Sequence, residues 1–307
     1  MDTRGWAIGI DVGGTKIAGG VVDLGSGEIV AREVVPTEPA RGGDAVLETA
    51  LSLATRLADA ADLVGREFVG VGVGVAELVD PAGCVHSAHN IDWRGVPIAQ
   101  RFGEVAPAVV ESDVRAAALA ESRYGAGRAF SLFAYVTIGT GISSCVVQDG
   151  KPMTGARGNA LVLTSGPLSV PCPTCGTHVQ HVVEEYASGP AVAARYQERT
   201  GLPANGSEEV LTAAKFGGDE DAVAVVESAA ESLGSSIGFL VNVIDPEAVI
   251  VGGGLGTAPG LYWDRLVQST RSHIWADETR ALPILRAALG PDAGLIGAAA
   301  SVLRTVI

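Results

Sequence analysis

The segment Asp11-Val12-Gly13-Gly14-Thr15-Lys16 stands between two short apolar runs, Ala7–Ile10 and Ile17–Val22. A glycine turn between strands lets backbone N–H groups reach phosphate oxygens with no Cβ in the way. Thr15 and Lys16 add a hydroxyl and a cation, and Asp11 at the strand end suits a hydrated Mg²⁺. The spacing is not that of a Walker loop, and taken alone the segment also reads as an ordinary hairpin turn. Thr137-Ile138-Gly139-Thr140-Gly141 repeats the strand-then-glycine pattern. Two such turns facing each other would grip phosphates from both sides. A third strand, Val249–Val251, opens into Gly252-Gly253-Gly254. Bare backbone there suits an adenine or ribose ring, or simply makes a pliable strand-to-helix connection.

Carboxylates and metal-ligand types gather elsewhere. In Glu111-Ser112-Asp113 a strand passes into a helix, the place where chemistry collects in α/β folds. Asp113 is the candidate to accept a proton from a substrate hydroxyl; alternatively it or Ser112 caps the helix. The loop His86–Gly95 crowds polar and aromatic groups, and Asn90 offers a donor and an acceptor to a sugar hydroxyl. Trp93 reads equally as packing. Cys172, Cys175, His178 and His181 form a C-x2-C-x2-H-x2-H run. These ligand types suit Zn²⁺, although the gap is shorter than in a classical finger. The other reading is two thiols and two surface histidines.

These residues need elements to position them. Periodicity predicts helices over 46–63, 115–124, 179–194, 222–243 and 294–303, and strands over 69–75, 108–111, 132–138, 142–148 and 248–251. Each half opens on a hairpin with glycines at its turn, which points to a duplicated α/β fold around a cleft. The stretch Gly166–Gly176 is the most irregular and reads as an insertion. With 307 residues, 47% of them apolar, the chain has room for two lobes. A net charge of −14 argues against nucleic acid as a partner. The opening residues are too polar for a signal peptide, and no apolar run reaches the ~18 residues of a membrane span. The cytoplasm is the expected compartment.

Taken together, these motifs resemble the ROK family (repressors, open reading frames, kinases) from Gly9 to Leu303, in order. Ile10–Lys16 matches the family's first phosphate motif and Gly139–Gly141 its second. Asp245-Pro246-Glu247 through Gly254 matches its adenosine motif, and residues 293–299 its closing Ala-Gly-Leu-Ile-Gly-Ala-Ala. The resemblance implies a two-lobed, actin-like (ribonuclease H-like) α/β ATPase fold with the active site in the interlobe cleft. Residues 1–112 would form the N-terminal lobe, with helix 291–307 packing back on it. Residues 113–290 would form the C-terminal lobe, with a zinc-binding insertion near 166–182. It further implies a kinase that moves the γ-phosphoryl group of Mg²⁺-bound ATP to a sugar hydroxyl. Asp113 would be the general base, and Asn90 and Glu184 (from Glu184-Glu185-Tyr186-Ala187-Ser188-Gly189) would hold the acceptor. The phosphate and adenosine groups would be Asp11, Gly13, Gly14, Thr15, Lys16, Gly139, Thr140, Gly141, Gly252, Gly253 and Gly254. A homodimer is the family expectation.

The chain departs from the family at the far end of the acceptor. Ser112 replaces the asparagine of Glu-Asn-Asp. Val162 and Ser165 stand where the Gly-Glu-x-Gly-His motif has its Glu and His, and Glu184 or Asn159 would have to reach over to compensate. In the family's zinc run only Cys172 and Cys175 remain, so His178 and His181 would have to replace the lost ligands. A site short of hydrogen-bonding groups fits an acceptor lacking or modifying those hydroxyls: a C7 cyclitol of the valiolone type, a deoxy or amino sugar, or a glycoside. The alternatives are an ordinary glucokinase or N-acetylhexosamine kinase and, in another class, a sugar-sensing regulator. The regulators carry an N-terminal DNA-binding module, whereas this acidic chain opens on the phosphate strand.

Overall fold

Short apolar runs bounded by turn residues become the strands of two five-stranded sheets and one hairpin. A computed structural model describes residues 5–62, 68–166, 168–171, 175, 178–216 and 218–304. The strands are β1 (Trp6–Val12), β2 (Lys16–Asp23), β3 (Ile29–Pro36), β4 (Phe68–Val75), β5 (Ala108–Ser112), β6 (Leu132–Ile138), β7 (Ile142–Gln148), β8 (Lys151–Pro152), β9 (Leu168–Pro171), β10 (His178–His181), β11 (Ala248–Gly252) and β12 (Ile284–Arg286). The helices are α1 (Gly43–Asp62), α2 (Ile98–Phe102), α3 (Asp113–Tyr124), α4 (Val183–Ala187), α5 (Gly189–Thr200), α6 (Ser207–Phe216), α7 (Glu220–Ile244), α8 (Leu261–His273) and α9 (Ala293–Ser301).

The first sheet has the order β3-β2-β1-β4-β5 and the second β12-β11-β6-β7-β8. Matching β1 with β6, β2 with β7, β3 with β8, β4 with β11 and β5 with β12 makes the two orders the same, so the echo in the sequence is a repeated topology. The chain divides into two compact units. The first holds Met1–Ser131, Cys145–Ala160 and Pro291–Ile307; the second holds Leu132–Ser144 and Leu161–Gly290. The sequence places the break at Ser112. In the structure α3 stays with the first unit because it packs on α9: a Cβ on Gly297 would run into the carbonyl of Ala116.

In the first unit β1 and β2 form an antiparallel hairpin, and β4 and β5 run parallel to β1. The carboxyl ends of β1, β4 and β5 therefore share one end of the sheet, with Val12 beside Val75 and Val75 beside Ser112. Ile8, Ile10, Val71 and Val73 are buried with Leu47 and Leu53 of α1. On the other face α9 lies so close that a Cβ on Gly9 or Gly72 would meet its carbonyls. This backbone-to-backbone packing sets the first turn of α9 beside Asp11, where a Cβ on Gly294 would lie 2.6 Å from Oδ2.

In the second unit Val249 and Val251 of β11 are buried with Val226, Leu233 and Ile237 of α7 and Leu266 of α8. By length and composition α7 is apolar enough to cross a membrane, but these contacts make it a core helix. The expected helix over 179–194 is three elements. Val179 belongs to β10, which pairs antiparallel with β9. Ser188 is extended, and Pro190 at the start of α5 opens a new helix. The alternation of buried and exposed positions along β3, and the helices α6 and α8, escaped the periodicity reading.

Candidate functional site

In the first unit the Gly13 N–H donates to Lys16 O (3.0 Å), closing the turn. Thr37 braces it from β3's end: its hydroxyl donates to Gly13 O (2.7 Å) and its N–H to Thr15 O (3.1 Å). Thr15 and Lys16 are exposed. Asp11 has its carboxyl pushed up to about 7, mainly by burial and then by the charge of Asp113; Asp292 adds to this and Lys16 opposes it. The neighbouring carboxyls of Asp113 and Asp292 and that of Asp11 itself offer the hard oxygen donors that fit a divalent cation. Among the described residues no cluster of three His, Cys, Asp or Glu forms a ready-made metal cage.

Asp113 opens α3 directly after β5. Neither capping alternative holds in its simple form. Ser112, at the cap position, makes no side-chain cap bond, and its buried hydroxyl has no hydrogen-bond partner. Asp113 Oδ1 accepts from its neighbour Val114 N–H (2.6 Å). Burial pushes the Asp113 carboxyl up to about 6; the Val114 bond opposes this, the Glu77 charge adds to it and Arg115 opposes it.

Asn90 is exposed, with Nδ2 donating to Ala76 O (3.0 Å). Its Oδ1 lies against the Gly13–Lys16 turn, 2.9 Å from where a Gly14 Cβ would sit. Trp93 is buried and donates to Gly43 O (2.8 Å), so it is packing. Asn159 is exposed and follows Gly158, whose carbonyl accepts from Arg115 Nη1 (2.9 Å).

Two residues here escaped the sequence reading. Arg115 is buried, paired with Glu111 (2.6 Å), and also donates to Val79 O (2.6 Å). It ties the Gly158 turn and the Val79 segment to the helix of Asp113. Glu77 is buried just past β4 and accepts hydrogen bonds from Ser87, His89, Asn90 and Ile91. Burial pushes its carboxyl up, but these donors outweigh that and hold it below the usual range. The available signals were the i,i+4 spacing of Glu111 and Arg115 and an acid at the carboxyl end of a buried parallel strand.

In the second unit Gly139 N–H donates to Gly141 O (2.9 Å), and Gly189 N–H to Gly139 O (2.8 Å). Glu184 Oε2 accepts from Ile142 N–H (2.7 Å) and lies 3.0 Å from the place of a Gly141 Cβ. Part of this carboxylate therefore props the second turn. Thr164, buried, donates to Ile142 O (2.8 Å) and accepts from Glu184 N–H (3.2 Å). Gly253 has φ +81 and packs against the Ile138 carbonyl, a packing reason for that glycine, whereas the Cβ side of Gly254 is open. At the departure from the family pattern Leu161 takes φ 63, a costly conformation for a branched residue. Val162 beside it is 48% exposed, and Ser165 is exposed.

Of the expected zinc ligands, Cys172 and the side chains of His178 and His181 lie outside the described residues. Cys175 is exposed. The backbone register sets His178 opposite Pro171 and His181 opposite Leu168.

The ROK family profile matches residues 7–305. A glucokinase of Streptomyces coelicolor is 32% identical over 317 residues, covering 96% of each chain. An N-acetyl-D-glucosamine kinase of Escherichia coli O127:H6 is 30% identical, covering 95% of this chain and 97% of its own. The solved structure of a ROK family glucokinase from Streptomyces griseus, in complex with glucose and AMPPNP, superposes with TM-score 0.80 at 31% identity, over 98% of this chain and 100% of that one. The α/β architecture expected from the resemblance is the fold of that structure. The chain belongs to the ROK family.

Proposed function

We propose that the chain is an ATP-dependent carbohydrate kinase that transfers the γ-phosphoryl group to a hydroxyl of a hexose-like sugar or C7 cyclitol, with Asp113 as general base. The observation that carries this is Asp113 itself. It is a carboxyl held near 6 at a strand-to-helix junction, in the same unit as the braced Gly13–Lys16 turn. Above that value it is ionised and able to take a hydroxyl proton. The names of the relatives, glucokinase and N-acetyl-D-glucosamine kinase, support the sugar class. Gly13, Gly14, Thr15 and Lys16 are assigned to the phosphates with Gly139, Thr140 and Gly141, and Gly252–Gly254 to the nucleoside. Asp11 holds hydrated Mg²⁺, which supplies charge neutralisation at the phosphates. Asn90, Asn159 and the remaining oxygen of Glu184 are assigned to the acceptor.

The exposed Val162, and Ser165 beyond it, favour an acceptor with fewer hydroxyls at that end. The measurement is kcat/KM for glucose, N-acetylglucosamine, N-acetylmannosamine and a valiolone-type cyclitol. A cyclitol, deoxy or amino sugar is expected to lead. Glucose ahead by tenfold, ~1.4 kcal/mol, would make this an ordinary glucokinase. Asp113→Asn is expected to keep less than ~10% of the turnover, and in the parent kcat/KM rises with pH through about 6. A fully active Asp113→Asn removes the base assignment.

The reading also places structural zinc at the β9–β10 connection, a homodimer contact on the exposed end of α7, and the protein in the cytoplasm. Cys172 and Cys175 with one or both of His178 and His181 are the proposed zinc ligands.

A further inference from the structure

Among the described residues no salt bridge reaches the buried Glu77 carboxylate; its hydrogen bonds come from one short loop. Oε2 accepts from the Ser87 hydroxyl and the His89 N–H (2.9 Å), and Oε1 from the N–H groups of Asn90 (2.6 Å) and Ile91 (3.0 Å). A carboxylate has about four acceptor positions, so this loop uses them all. Burying such a charge is costly unless it is hydrogen-bonded in this way. Consecutive N–H groups from His89 to Ile91 converge on it, which fixes the backbone of Asn90 on both sides. The preceding residue completes the grip, because Ala76 O accepts from Asn90 Nδ2 (3.0 Å). The outcome is a defined place for the Asn90 amide, with its oxygen beside Gly14 of the phosphate turn.

We propose that Glu77 is a positioning residue for phosphoryl transfer, holding the Ser87–Ile91 loop so that Asn90 is set for the acceptor beside the Gly13–Lys16 turn. This rests on the kinase reading above. A second consequence is electrostatic. Asp113 is faced by Glu77, Asp11 and Arg115. Arg115 is already engaged by Glu111 and two carbonyls. Glu77 therefore adds a fixed negative charge that keeps Asp113 a stronger base than Arg115 alone would leave it.

Glu77→Gln keeps the shape but presents an amide where one oxygen accepted, so it cannot receive all three N–H groups. With the best acceptor of the panel, KM for the acceptor is expected to rise about tenfold while KM for ATP stays within about twofold. The acid limb of kcat/KM moves to lower pH. In an Asn90→Ala background the same change is expected to cost less than about twofold, because positioning of an absent side chain has no further effect. Ser87→Ala, which removes a single donor, gives a smaller rise in acceptor KM and covers the case in which Glu77→Gln fails to fold. Additive losses in the two backgrounds, or an unmoved acid limb with unchanged acceptor KM, overturn the proposal. A parent protein that transfers no phosphate to any acceptor overturns the kinase reading instead, so the two failures are separate.

Discussion

Asp11 and Asp113 show how the same side chain acquires two different titration ranges from its surroundings. Both are pushed up by burial, but Asp11 also feels Asp113 and Asp292 and reaches about 7, whereas Asp113 has the Val114 N–H and Arg115 against it and stops at about 6. The sign for stability follows from linkage. A carboxyl with a raised folded value contributes stability below its unfolded value near 4, and that contribution is lost as pH rises through the folded value. For Asp11 the loss falls between about pH 4 and 7 and is on the order of 4 kcal/mol at most. Without Mg²⁺, Asp11→Asn is expected to melt progressively higher than the parent as pH goes from 5 to 8, while its turnover falls. A melting-temperature difference that stays flat across that range is the result that contradicts this. With the role proposed for Asp11, stability and function are opposed at this position, the common state of active-site charges.

At the scale of elements, the legible parts were those where pattern and packing agree. The runs 132–138 and 142–148 are β6 and β7 with the expected bounds, because buried strands with turn glycines after them leave few other choices. The glycine turns after β1 and β6 were visible for the same reason. The role of Glu77 was not, since four donors from a loop ten or more residues away leave no trace in local spacing. Residues 179–194 misled because the apolar spacing of Val179, Val182 and Val183 runs on into α5, while strand pairing with β9 decides the conformation of the first part. The proposed zinc site is tested in the same stretch of sequence. Cys175→Ser, and the double change His178→Ala with His181→Ala, are each expected to lose most of the zinc and to lower the melting temperature. Metal analysis of both variants beside the parent decides; zinc absent from the parent, or retained in Cys175→Ser, rejects the ligand set.

For the whole molecule the constraint is charge. Two copies of a chain with net charge −14 repel each other over most of their surface. The segment Ser232–Ile244 carries no charged residue. On its exposed side Phe239 is 62% and Val243 65% exposed, and Trp275 is 86% exposed. Trp275 is held next to them, its N–H donating to Asn242 Oδ1 (2.9 Å). The uncharged α7 segment can match itself about a two-fold axis, so the proposed homodimer is tested at this surface. A stable contact needs about 800 Å² from each partner, and aromatic anchors near its centre would carry most of the binding. Light scattering on the eluting protein at tens of micromolar is expected to give twice the chain mass. The double change Phe239→Glu with Trp275→Glu is expected to give a single-chain mass. Because both side chains are exposed, its melting temperature at low concentration should match that of the parent monomer. A parent that stays monomeric, or a double variant that remains dimeric, assigns this face no part in assembly.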